Sequence, residues 1–394
     1  MKFDANRKGS FMNPRRFHAS TLAVAALASL SFLAVEIAAQ NPTGTPAATS
    51  QASSTTDNLP AWAYPPTPPG RGGGGRGRGQ GPDGAAATGT PSGVAGAAPG
   101  SAPAVAPAAA AATTADAAPL MHVPGSTVAY TQAQVRNMHD VPDWFPNGHP
   151  PMPDIISHGD KQLGGGGCGY CHLPTGYGRT ENQSIAGLPV QYTIDQVADF
   201  KSGARKTSGS RLSPVATMVK ESQTVTDDEV KIAAEYFASI KLTRWIRVVE
   251  TDTVPKTRVA GAIWVLADGG GTEPIGERIV ELAEDQDRFE LRDASAGFVA
   301  YVPTGSIAKG KEIVTTGAGG KTISCTICHG PDLKGVGNIP SIAGRSPSEM
   351  ARQIVDIQNG NRNGVQAALM KPVVAKLTNE DIVNITAYLV SLAP

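Results

Sequence analysis

The chain has 394 residues, with 34 Lys and Arg against 34 Asp and Glu, 45 glycines, 31 prolines and 5% aromatics. The balanced charge excludes a general nucleic-acid binder, which needs surplus cations to neutralise phosphates, and four cysteines are too few for a disulfide-built fold. So much glycine and proline also means that part of the length is not packed core.

Residues 1–39 come first. Lys2, Arg7, Lys8, Arg15 and Arg16 precede an apolar run from Thr21 to Ala39. A basic region, an apolar stretch and small residues predict a secretory signal cleaved after Ala39 and a periplasmic mature chain. The run is nearly long enough to span a bilayer, so an uncleaved inner-membrane anchor is the alternative. Cleavage leaves 29 basic and 32 acidic residues, a mildly acidic chain. Next, 64 of the 79 residues from Asn41 to Pro119 are Ala, Gly, Pro, Ser or Thr. That composition has little apolar surface to offset the entropy of ordering, so 40–120 reads as a disordered Ala/Gly/Pro-rich linker. Its RGGGGRGRG tract, Arg71–Gly79, has three arginines and no interleaved aromatics, and reads as a solubilising spacer.

From residue 121 ordinary patterning returns, and it repeats. CGYCH (Cys168–His172), SIAG (Ser184–Gly187) and QVADFKSGAR (Gln196–Arg205) recur 157 residues later as CTICH (Cys325–His329), SIAG (Ser341–Gly344) and QIVDIQNGNR (Gln353–Arg362). The segments Thr226–Ile240 and Thr378–Leu392 match at an offset of 152 instead. The first copy therefore has a loop five residues longer, within Lys206–Thr217. Thr226 and Thr378 are N-cap candidates followed by acidic first turns, with apolar residues at helical spacing beyond them. The segments reaching Phe200 and Ile357 predict helices closed by Gly203 and Gly360. Between the copies, 244–305 matches neither; its β-branched and aromatic runs, broken by Gly, Pro and Asp, predict a small β-rich connector shielding the junction.

Cys-x-x-Cys-His is the attachment signature of c-type haem. Two thiols three positions apart reach the two vinyl groups of one porphyrin, and the next His supplies an imidazole to iron. The sequence contains two such motifs, which use all four cysteines: Cys168, Cys171 and His172, then Cys325, Cys328 and His329. A zinc site shared by both motifs, or a redox dithiol, would not require His after each pair. For the sixth iron ligand, Met218 and Met370 each lie eight residues before the capping threonine, an equivalence that survives the change of offset. His149, Met152 and His158 are rival ligands in the first copy, and a His would lower that iron's potential. Met350 falls within a predicted helix and reads as core.

On these motifs, the Gly-ended helices and the final helices with Tyr236 and Tyr388, the chain resembles the tandem two-haem class I cytochromes c. The resemblance covers roughly 150–241 and 306–394. It implies a mainly α fold with two class I cytochrome c-like haem domains, 121–243 and 306–394; the β-rich connector that joins them here and the disordered tether before them are departures from a family whose domains usually share a short linker. It also implies that a proline carbonyl takes the proton of the proximal His. Pro340 fits that place in the second domain; its counterpart in the first is Gln183, a departure from the pattern.

The function expected is single-electron transfer by an exported carrier with two covalently attached haem c groups, not an enzyme. Its partners would be other redox proteins, including a membrane or periplasmic dehydrogenase or oxidase. The alternatives are a haem enzyme, a dihaem peroxidase or sulfur-compound dehydrogenase, with an open iron in the first domain, or a cytochrome subunit of a dehydrogenase.

Overall fold

The computed structural model describes residues 59–66, 118–210 and 213–394. The expected signal at 1–39 and most of the expected linker, including the RGGGGRGRG tract, lie outside the described residues.

The first domain opens with a small antiparallel pair, β1 (Leu120–Met121) and β2 (Tyr130–Thr131), and two one-turn helices, α1 (Gln132–Val135) and α2 (Asp154–Ser157). It continues with α3 (Cys168–His172), α4 (Val190–Ser202), α5 (Pro214–Glu221) and α6 (Asp227–Ala238). The connector contributes β3 (Ile246–Glu250), β4 (Thr253–Pro255), β5 (Thr257–Ala260), β6 (Ile263–Leu266), β7 (Thr272–Pro274), β8 (Val280–Ala283), α7 (Gln286–Glu290) and β9 (Phe298–Val302). The second domain holds α8 (Ser306–Thr316), α9 (Thr326–His329), α10 (Pro347–Gln358), α11 (Ala367–Val374) and α12 (Asn379–Ser391).

Local chemistry accounts for the long helices. Thr226 caps α6 and Thr378 caps α12, each in a reciprocal capping box, with Glu229 in the first case and Asp381 in the second. Gly203 ends α4 at φ 74°, a left-handed turn that glycine adopts without strain, and Gly360 follows α10 at φ 72°. Helix α6 buries Val230, Ala233, Ala234 and Phe237, and α12 buries Ile382, Ile385 and Leu389, the apolar stripes of the sequence. Fully burying a side chain such as Phe237 stabilises by about 1.5–3 kcal/mol.

The connector is wedged between apolar layers. Its three-stranded sheet runs β3–β9–β8, with β3 parallel to β9 and β8 antiparallel. Because side chains alternate along a strand, β9 sends Phe298, Ala300 and Val302 into the main core. Its Val299 joins a second cluster with Val254, Ile275, Val280 and Leu282. The connector also holds both repeated domains. Arg292 donates to the Tyr170 carbonyl (2.6 Å), and Glu281 accepts from the Ser346 hydroxyl (2.8 Å) at the start of α10.

One part of the expected linker packs instead. Residues 59–66 form a turn whose Trp62, Ala63 and Tyr64 are buried in the main core. Three large side chains in six residues supply local apolar surface that the surrounding composition lacks.

Candidate functional site

Each Cys-x-x-Cys-His motif occupies a short helix, α3 or the turn from Cys325 into α9, so both thiols and the imidazole face one side. The motifs do not share a site. Cys168, Cys171 and His172 line one deep, mostly apolar cavity; Cys325, Cys328 and His329 line another. This separation removes the shared zinc site. Burial pushes the Cys168 thiol up to about 12 and the Cys325 thiol up to about 11, so both carry their protons at neutral pH.

The imidazoles are oriented identically. His172 Nδ1 lies 2.8 Å from the carbonyl oxygen of Gln183, and His329 Nδ1 lies 2.8 Å from that of Pro340. A carbonyl only accepts, so Nδ1 carries the proton in each ring and Nε2 keeps its lone pair for a metal. Burial lowers the pKa of both rings, which favours that neutral form. The departure at position 183 is thus without consequence for this bond: a backbone oxygen makes it, and glutamine has one as proline does.

Met218 on α5 lines the first cavity and Met370 on α11 the second. Their rivals lie elsewhere. His149 is held by Asp143 (3.1 Å) and the Pro150 carbonyl (2.9 Å), and lines a cleft beside the connector. His158 sits beside Ser157, with Asp154 and Asp140 close by, and Met152 packs against the main core. One further residue, Met138, does line the first cavity. It has no partner in the repeat, since position 295 is serine, so the pattern that picked out Met218 could not find it. Met350 lines the second cavity as well as being buried.

A single layer of side chains separates the cavities: Gln183, Tyr192, Glu349 and Gln353 line both. Equivalent residues of the two copies meet there. Arg205 and Arg362, 157 apart, form an antiparallel bridge, flanked by Lys206 N to Asn361 O (2.6 Å) and Asn363 N to Ala204 O (2.7 Å). The two segments that pair here are therefore related by a local two-fold axis through this bridge. Arg205 donates to Gln196 and Gln353 (both 2.9 Å), and Arg362 to Tyr192 and Gln196 (both 2.9 Å). Burial, with Arg362 close by, lowers the Arg205 guanidinium to about 10, still charged at neutral pH. Its Nε, buried in the first cavity's wall, has no partner among the described residues.

This donor set fits haem. Paired thiols suit the vinyl groups, an imidazole with a free Nε2 and a thioether suit iron, and an apolar wall suits the porphyrin. The buried guanidinium with an unused N–H suits a propionate.

A family model described as cytochrome c matches residues 307–393. Cytochrome c4 of Azotobacter vinelandii is 32% identical over 139 residues, 31% of this chain and 65% of its own length. Cytochrome c-554(548) of Halomonas halodenitrificans is 39% identical over 66 residues, 16% of this chain and 80% of its own. The thiosulfate dehydrogenase electron acceptor of Thiomonas intermedia is 25% identical over 238 residues, 60% of this chain and 76% of its own. The chain spans 65% of the length of the cytochromes c4 of Azotobacter vinelandii and Stutzerimonas stutzeri.

Proposed function

The chain belongs to the cytochrome c family, and on that premise we propose that it is an exported dihaem cytochrome that carries single electrons between redox proteins. The observation behind this reading is the duplicated centre: two Cys-x-x-Cys-His motifs, each with its His Nδ1 held 2.8 Å from a backbone carbonyl, in cavities one side-chain layer apart.

Bound haem iron supplies reversible one-electron exchange between its ferric and ferrous states. The protein keeps that exchange cheap in rearrangement. Cys168, Cys171, Cys325 and Cys328 anchor the groups covalently. The carbonyls of Gln183 and Pro340 fix the rings of His172 and His329 and raise the basicity of Nε2. Met218 and Met370 would supply thioethers to the irons, a ligand that favours the ferrous state and raises the potential. Arg205, which lines the first cavity, and Arg362, which lines the second, would offer cations to the carboxylates of the bound groups. Electrons entering at one domain can leave from the other.

The enzyme alternative needs an open iron with an acid or base beside it. His149 and His158, which would serve it, lie outside the first cavity, whereas Met138 and Met218 line it. The Thiomonas relative, by its name an electron acceptor of a dehydrogenase, supports a periplasmic dehydrogenase as donor class. The expected slight excess of acidic residues suits a basic docking patch on that partner, with a salt-dependent on-rate.

The test is a spectroscopic redox titration of the haem-loaded chain. Two high-potential one-electron waves, unaltered by carbon monoxide or peroxide, are expected. A centre that binds carbon monoxide would overturn the carrier reading in favour of an enzyme.

A further inference from the structure

Three features stand apart from the haem motifs: the LPAWAYPP segment, Leu59–Pro66, the longer loop of the first copy, and the β5–β6 hairpin of the connector. They meet at one place. The Pro60 carbonyl accepts from Ala63 N (2.9 Å) and Tyr64 N (3.0 Å), closing the segment into a turn. Trp264 of β6 donates its Nε1 to the Trp62 carbonyl (3.1 Å), and Arg352 of α10 donates Nη1 to the Ala63 carbonyl (3.1 Å). The Tyr64 hydroxyl lies 2.8 Å from Asp356 Oδ1 and 2.9 Å from the Arg352 carbonyl.

The longer loop closes over this turn. Ser208 N donates to the same Asp356 Oδ1 (2.7 Å), and Asn359 and Asn361 hold the Ser208 hydroxyl. Gly209 lies flat on the Tyr64 ring: a Cβ there would stand 2.8 Å from Cδ1, closer than real side chains approach. Ser210, Ser213 and Pro214 line a small cleft together with Ala63, Tyr64 and Pro65. Ser213 is also the N-cap of α5, accepting from Ala216 N at 3.2 Å, with Pro214 at the first helical position. One turn further along α5 is Met218. A second route is shorter: Arg352, which grips the Ala63 carbonyl, lines the first cavity itself and donates to the Thr180 carbonyl (3.0 Å). Helix α10 presents Gln353, Ile354 and Ile357, and neither Arg352 nor Asp356, to the second cavity.

We infer that residues 59–66 are a positioning strap for the first haem: Trp62 and Tyr64 pin the loop and the N-cap of α5, and so fix Met218 over that iron. Ser208, Gly209 and Ser210 of the longer loop, with Ser213, are the receptor for the strap. The second centre has the shorter loop and, among the described residues, no strap, which makes it an internal control. The inference rests on the reading of Met218 as an iron ligand.

The experiment uses the full haem-loaded chain and two readouts: the two midpoint potentials and the long-wavelength absorption of methionine-ligated ferric haem. Met218→Leu is the reference; it should remove one centre's share of that band and lower one potential. Tyr64→Ala should reproduce part or all of the same loss while leaving the other centre unchanged. Tyr64→Phe, which keeps the ring against Gly209, should restore both readouts. Gly209→Val, which leaves the strap intact and displaces the ring, should behave as Tyr64→Ala does, and it decides the matter should Tyr64→Ala not load haem. The strap fails if Tyr64→Ala and Gly209→Val keep both potentials and the full band, or if either disturbs both centres equally. An unchanged band in Met218→Leu would refute the ligand reading instead.

Discussion

In the second domain, α8 crosses α12 so closely that a Cβ at Gly310 would lie 1.8 Å from the Asn384 carbonyl oxygen. The position 157 residues earlier is Pro153, and there the first domain has only the four residues of α2. In place of an eleven-residue helix, the first domain is braced from outside its repeated segments by separate contacts: Trp144 bonded to the Leu291 carbonyl (2.8 Å) and Arg292 stacked on Tyr170 (3.5 Å). The metal-facing geometry survives this exchange. Even the backbone after the motif is kept, with residues swapped: Leu173 (φ 63°) answers Gly330 (φ 85°), and Gly176 (φ 69°) answers Leu333 (φ 61°). The proximal side of such a centre is fixed by a few local bonds, and the outer scaffold can be replaced. The match of the family model to 307–393 alone accords with that division.

The largest test of this contrast is chemical. Replacing Cys168 and Cys171 together by serine should remove one covalent haem and spare the other, cutting haem per chain by about half in an alkaline pyridine assay. Loss of both would mean that the second domain cannot fold without the first. Next comes Gly310→Ala, which forces a side chain into the α8–α12 crossing and should destabilise the second domain by about 3 kcal/mol. Denaturant unfolding followed at each haem should show the first domain's transition unmoved.

A smaller effect concerns His149, whose hydrogen bond to the Asp143 carboxylate holds it above its ordinary pKa, against the opposing pull of burial. A folded pKa above the unfolded one gives stability that is fully present below about 6.5 and lost as pH rises through the folded value. The first domain should therefore lose stability between mildly acidic and mildly alkaline solution, and His149→Phe should flatten that slope in thermal unfolding. The smallest change is expected for Leu173→Gly. Relief of a left-handed backbone, about 1–3 kcal/mol, offsets the lost burial of one leucine, about 1.5–3 kcal/mol. A measured loss well beyond the burial value would show that the first copy accommodates Leu173 without strain.

What could be read from the sequence was local. The capping threonines, the glycines that end α4 and precede the turn after α10, and the five-residue motifs each act over a few positions, so their chemistry shows in any short window. The offset arithmetic aligned Met218 with Met370 for the same reason. What escaped depends on distant partners. Trp62 and Tyr64 are the only aromatics between Asn41 and Pro119. An average over that stretch hides them, although two such residues in a tract of small ones are a signal in themselves. Met138 reaches the first cavity from outside the repeated segment. At position 183 a side chain was sought where a backbone oxygen suffices.

The meeting of Arg205 with Arg362, each against its own counterpart, is the contact pattern of an isologous dimer carried on one chain. Between free subunits, an interface built on buried guanidiniums and amides would have to overcome the entropy of association at every dilution. Here the connector fixes the effective concentration of one half at the other, so the pairing is independent of how much protein is present. The interface is free to remain polar. Two centres can be held one side-chain layer apart without the broad apolar seam that a dimer of the same halves would need.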